Sequence, residues 1–178
     1  LPVHEDLEPV QPVPVDVSGA RVLVIDDNRV NREILLEQLR SWHFDCAAAE
    51  KGEVGLAFLE RATQLGARVD CIILDYQMPG INGLEVARRI AANPAAWDIP
   101  VLLLTSVDQA ITGQLTIESG ISAHLNKPAR ASALLETLVT IMQKAKAAPK
   151  RSRQPGGLQP VHNFAPKPVV QNPDRPIA

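Results

Sequence analysis

Three short, almost unbroken runs of Val, Ile and Leu, each ending in an acid or a hydroxyl, constrain this chain more than any other feature. They are Arg21-Val-Leu-Val-Ile-Asp26, Val69-Asp-Cys-Ile-Ile-Leu-Asp75 and Ile99-Pro-Val-Leu-Leu-Leu-Thr105. A strand with one face in water alternates apolar and polar residues, whereas a continuous apolar run belongs to a strand covered on both faces. Residues 44–49 and 123–126 are weaker strand candidates. Between the runs, apolar residues fall at helical spacing over residues 30–42, 52–65, 84–92, 108–119 and 131–146. Strand and helix thus alternate five times. Because crossovers between parallel strands are right-handed, five such units predict an open, doubly wound α/β sheet with helices on both faces.

The ends of the chain have a different composition. Eleven of the 15 prolines lie before residue 15 or after residue 146, among few large apolar residues. Residues 1–19 carry a net charge of -4 and residues 147–178 a net charge of +4, inside a total of only -2. Such segments cannot build a core, so 1–19 reads as a flexible acidic linker and 147–178 as a disordered basic one. The folded domain is then 20–146, an ordinary single-domain size. The basic tail has no aromatic interleaving beyond Phe164 and no reading motif, so no DNA partner is expected. No apolar run reaches 18 residues, so no membrane span is expected. The first residues have neither the basic start nor the apolar core of a secretion signal, and a chain beginning at Leu1 reads as a piece of a longer protein. Cys46 and Cys71 sit apart, without Cys-x-x-Cys or Cys/His clustering, and read as reduced core thiols of a cytosolic domain.

In a doubly wound sheet the crevice beyond the carboxyl ends of the strands is where chemistry occurs. Asp26 and Asp27 end the first strand, Asp75 the third, Thr105 and Ser106 the fourth, and Asn126-Lys127-Pro128 the fifth. Three carboxylates about 5 Å apart, at an effective dielectric of about 20, repel by roughly 3 kcal/mol per pair. A hard divalent cation relieves that repulsion, and Mg²⁺ accepts a few carboxylates together with water. A lone acid such as Asp98 or Asp108 reads instead as a helix cap or a solvated loop residue. The whole set, gathered at four strand ends, does not.

These residues carry a resemblance. Asp26-Asp27-Asn28 followed by Asn31-Arg32, Leu74-Asp75-Tyr76-Gln77-Met78-Pro79-Gly80 followed by Asn82-Gly83, Thr105-Ser106, and Lys127-Pro128 together resemble the receiver domains of two-component phosphorelays. The likeness spans residues 21–146. The first two motifs look most like receivers attached to hybrid sensor histidine kinases. The resemblance implies a flavodoxin-like (βα)5 fold with strand order 2-1-3-4-5. It implies that Asp75 is the phosphoacceptor, taking a phosphoryl group from a histidine of a sensor kinase or a histidine phosphotransfer domain. Asp27, Asp75 and the backbone carbonyl of Gln77 would hold Mg²⁺, with Asp26 acting mainly through a coordinated water. Lys127 would pair with Asp75 and then with a phosphoryl oxygen, and Thr105 would donate its hydroxyl to another and act as the switch.

A cis Lys127–Pro128 peptide is expected from the family and from the rarity of cis bonds at other residues. Gly80 and Gly83, after Asp75, are expected to supply positive φ angles beside the phosphate. His124 occupies the position, three before the lysine, where the family often has an aromatic switch residue; a partly exposed strand histidine is the alternative. Gln77 and Val107 flank the site and would tune the lifetime of the phosphoryl group. The output would be the face built from residues 108–119, 122–126 and 130–146. A second reading keeps the fold without phosphorylation, as a docking or sensory module that holds an attached kinase inactive or binds a nucleotide; a neighbouring receiver or kinase domain in the same parent chain is the further partner expected. Retention of Asp26, Asp27, Asp75, Thr105 and Lys127 together favours the phosphoacceptor. A flavin-binding protein is disfavoured, because the first loop carries two acids where a phosphate needs glycines and hydroxyls.

Overall fold

The computed structural model describes residues 12–106 and 113–148. Most of the two linkers expected from composition, Val107, and the beginning of the fourth expected helix lie outside the described residues. The elements run β1 (Arg21–Ile25), α1 (Arg29–Ser41), β2 (Asp45–Ala49), α2 (Gly52–Gln64), β3 (Cys71–Asp75), α3 (Gly83–Ala92), β4 (Val101–Thr105), α4 (Gly113–Glu118), β5 (Ala123–Asn126) and α5 (Ala131–Ala147). All five strands are parallel, in the order β2-β1-β3-β4-β5, as the resemblance implied.

The unbroken apolar runs have their cause in this arrangement. Every residue of β3 and β4 is buried, because each strand has a neighbour on both edges and helices over both faces. Alternate side chains enter two separate cores. Val22, Val24, Ile73, Leu102 and Leu104 pack with Leu35 and Leu39 of α1 and Leu134 and Leu138 of α5. Leu23, Ile25, Ile72, Leu74 and Leu103 pack with Leu59 of α2 and Val86 and Ile90 of α3. The edge strand β5 alternates between half-buried and exposed residues, as a strand at the margin should.

Two expectations need correction. The segment 1–19 is not linker throughout: residues 15–19 form a turn in which Val17 is 1% exposed and belongs to the α1/α5 core, with Val13 packed against it. Lys146 of α5 donates to the carbonyl of Asp16. A valine that fills the open end of a core is stabilised by burial, whatever the proline content around it. Second, the thiols are not equivalent. Cys71 is fully buried, while Cys46 lies half-buried on the outer strand β2; both are free. Among the described residues, no helix is long and apolar enough to cross a membrane.

Candidate functional site

Each of the acids is delivered by a chain reversal at the carboxyl end of a strand. After β1 the backbone leaves the sheet at Asp26, whose N–H still donates to the Ala49 carbonyl at 3.1 Å. Asp26 Oδ1 accepts the N–H of Asn28 at 2.8 Å, and Asn28 Oδ1 accepts the N–H of Asn31 at 3.1 Å, capping α1. Short polar side chains bond their own backbone in this way and so start helices. At the end of β3, Tyr76 N–H donates to Leu104 at 2.9 Å and Gly83 N–H returns to the Tyr76 carbonyl at 2.9 Å, closing the loop under Asp75.

The two glycines of that loop differ. Gly80 has φ +84°, the left-handed region that favours glycine. Gly83 does not share this need, contrary to expectation. A side-chain carbon there would lie 2.5 Å from the carbonyl oxygen of Asp75 and 2.9 Å from Leu103, so glycine lets α3 start directly beneath the acid.

The reversals bring Asp26, Asp27 and Asp75 together, with one carboxylate oxygen from each lying within 4.8 Å of the others. Asp26 and Asp75 are buried and Asp27 is exposed. From β5 the Lys127 ammonium reaches in, 2.6 Å from Asp75 Oδ1 and 3.6 Å from Asp26 Oδ2. The Lys127–Pro128 peptide is cis. Burial pushes the Asp75 carboxyl above its ordinary value; the hydrogen bond and charge of Lys127 pull it back, the charges of Asp26 and Asp27 push it up, and the balance is upward. Among the described residues, Asp26 Oδ2 is buried and makes no hydrogen bond, and its one close cation is Lys127. A buried carboxylate oxygen left in that condition is costly unless something further coordinates it.

The hydroxyl of Thr105, at the end of β4 and 1% exposed, donates to Asn126 Oδ1 at 3.0 Å. Lys127 N–H donates to the Thr105 carbonyl at 2.7 Å, so switch candidate and lysine are adjacent across the β4–β5 ladder. Gln77 is exposed, two residues beyond Asp75. His124 stands apart from the acids, exposed on β5 opposite Leu103. Sequence reasoning passed over two residues. Asn126, the Thr105 partner, was legible only as a polar strand end, and Arg32 only as part of a motif; its guanidinium donates to the carbonyls of Asp26 at 2.7 Å and Asp27 at 2.9 Å.

A doubly wound sheet with an acidic pocket and one inward lysine at its carboxyl edge defines a class of signalling domain, and the comparisons name it. Residues 22–139 match the response regulator receiver domain, and the chain belongs to that family. It is 35% identical over 110 residues to the response regulator PleD of Caulobacter vibrioides, covering 62% of this chain and 23% of that protein. It is 30% identical over 134 residues to hybrid signal transduction histidine kinase I of Dictyostelium discoideum, covering 71% of this chain and 8% of that protein. The chain therefore spans about a quarter or less of these curated relatives. Among solved structures, the Vibrio cholerae chemotaxis protein CheY4 superposes with a TM-score of 0.62 at 27% identity, over 70% of this chain and 99% of that one.

Proposed function

We propose that this domain is a Mg²⁺-dependent phosphoacceptor of a two-component phosphorelay and that Asp75 receives the phosphoryl group. The observation that carries the reading is the convergence of Asp26, Asp27 and Asp75 within 4.8 Å while Lys127 lies 2.6 Å from Asp75. Three carboxylates at that separation repel by roughly 3 kcal/mol per pair at an effective dielectric of about 20, and with all three ionised the single Lys127 ammonium leaves the site negatively charged. Asp26 Oδ2, buried without a hydrogen bond and 3.6 Å from the Lys127 ammonium, adds an acceptor that a cation would satisfy. Hard oxygen donors in this number suit Mg²⁺. Asp26, Asp27, Asp75 and the Gln77 carbonyl are the proposed holders of the ion, which when bound neutralises charge on the transferring oxygens.

The protein's own part is nucleophile and counter-charge. An Asp75 oxygen attacks the phosphorus carried by a kinase histidine; the O–P bond forms as the P–N bond breaks and the imidazole leaves. Lys127, already against Asp75, transfers its contact to a phosphoryl oxygen. Thr105 turns its hydroxyl from Asn126 to another phosphoryl oxygen and draws the end of β4 inward, which alters the surface of α4, β5 and α5. The phosphodonor is a histidine kinase or a histidine phosphotransfer domain in the cytoplasm. The parent is a hybrid kinase, a reading that rests on similarity to the Dictyostelium protein.

Intact mass after incubation with acetyl phosphate tests this. The parent chain should gain a phosphoryl-sized mass in Mg²⁺ and none in EDTA, and Asp75→Asn should gain none. A parent that stays unmodified in Mg²⁺, or a mutant modified to the same extent, overturns the proposal.

A further inference from the structure

Arg32 lies in the first turn of α1, its N–H bonded to the Asn28 carbonyl at 3.0 Å, and its side chain folds back across the cap. One terminal nitrogen, Nη1, donates to two successive carbonyls, Asp26 at 2.7 Å and Asp27 at 2.9 Å. Past the end of β1, these carbonyls would otherwise be left to water. The opposite side of the same turn is held by the Asn28 N–H on Asp26 Oδ1 at 2.8 Å. The main chain that aims both acids is thus gripped from two directions, by an amide on a carboxylate and by a guanidinium on the carbonyls.

We propose that Arg32 is a positioning residue for the Mg²⁺ site, holding the Asp26–Asp27 backbone so that both carboxylates converge on Asp75; this rests on the Mg²⁺-dependent reading above. Electrostatics make the proposal testable by sign. Arg32 brings a positive charge close to a cation site, so by charge alone its removal would tighten Mg²⁺ binding. By positioning, its removal loosens binding. Groups that orient metal ligands from behind are worth on the order of 10- to 100-fold in metal affinity.

The experiment is a Mg²⁺ titration at fixed ionic strength, followed by amide NMR, on the full chain and on Arg32→Met and Arg32→Lys. Arg32→Met keeps the apolar stem and loses both charge and donors; its Kd should rise at least about tenfold. Arg32→Lys keeps the charge and a nitrogen able to donate twice, on a shorter head; its Kd should fall between the other two. In EDTA, the Asn28 amide of Arg32→Met should exchange faster while β3 and β4 amides keep their protection, a readout independent of metal. A Met variant that binds Mg²⁺ as tightly as the parent, or more tightly, overturns the proposal. Should the Met variant fail to fold, Arg32→Gln, which removes the charge and shortens the reach to the two carbonyls, takes its place, and a Gln variant with the parent's Kd or a lower one overturns the proposal equally. A parent that binds no Mg²⁺ removes the phosphoacceptor reading and this one with it, whereas loss of the Arg32 effect in a Mg²⁺-binding parent removes only this one.

Discussion

Asp75 is pulled in two directions, and the balance between them is measurable. Lys127 at 2.6 Å favours the ionised carboxylate, while burial and two neighbouring acids disfavour it, and the disfavouring side prevails. An unfolded chain titrates this group near its ordinary 3.8 and the folded domain titrates it higher. Between those values the folded state holds the extra proton, so stability falls as pH rises through the window, and the full penalty persists above it. In EDTA, the stability of Asp75→Asn minus that of the parent should therefore climb as pH rises from about 4 and level off once the folded carboxyl has ionised, measured as urea midpoints across a pH series. A carboxylate governed by its lysine would produce the opposite slope, and that slope would sink this account of the site. Asp26, Asp75, Thr105 and Lys127 were legible in the sequence because each closes or follows an apolar run, and the crevice rule assigns chemistry to those places. Arg32 and Asn126 were not legible as partners, because their roles depend on where a side chain folds back and on which two strands are neighbours. Gly83 was noticed for a φ angle it does not have; what it provides is room under the Asp75 carbonyl.

At the scale of elements, the five alternations stand in the sequence because a strand buried on both faces cannot hide its composition. The turn before β1 shows where composition misleads. Four prolines and four acids before residue 19 describe a segment that cannot fold alone, but they do not say whether a single valine finds a place in a core built by others. Val17 does, at 1% exposure, while Val15 two residues earlier is 93% exposed. The polar ties of Asp16, to Gln143 at 3.4 Å and to Lys146, are exposed and contribute little. The anchor is the buried methyl groups. Val17→Ala should cost roughly 1–3 kcal/mol in urea unfolding, in the range of other truncations inside a core, and Val15→Ala should stay within about 0.5 kcal/mol of the parent. Equal, negligible effects at both positions would return this turn to the linker that composition suggested.

Across the whole molecule, β4 is the element that ties the site to both cores and to the edge strand. Its Leu102 and Leu104 enter one core, its Leu103 the other, and its last residue, Thr105, touches Asn126 of β5 by its hydroxyl and the Lys127 N–H just beyond β5 by its carbonyl. A hydroxyl has one proton to give. In this structure it goes to Asn126 Oδ1 at 3.0 Å, so the proposed switch exchanges that acceptor for a phosphoryl oxygen. Asn126, exposed on the edge strand, finds water in exchange, but the bond given up is worth about 0.5–1.5 kcal/mol net. The two arrangements are then populations, and any residue that binds the proton in one of them sets their ratio. Asn126→Ala removes the competing acceptor and should raise the switched-to-unswitched ratio about two- to tenfold at partial saturation with beryllofluoride and Mg²⁺, read as the position of β5 and α5 amide resonances between their limits. Thr105→Ala should still bind beryllofluoride at Asp75, seen at amides beside the acids, while the β5 and α5 resonances stay near their unliganded positions. Thr105→Ser, which keeps the proton, should restore most of the response. If Asn126→Ala leaves the ratio unchanged while Thr105→Ala shifts β5 and α5 as fully as the parent, the hydroxyl is not the link, and the signal leaves the site through some element other than the end of β4.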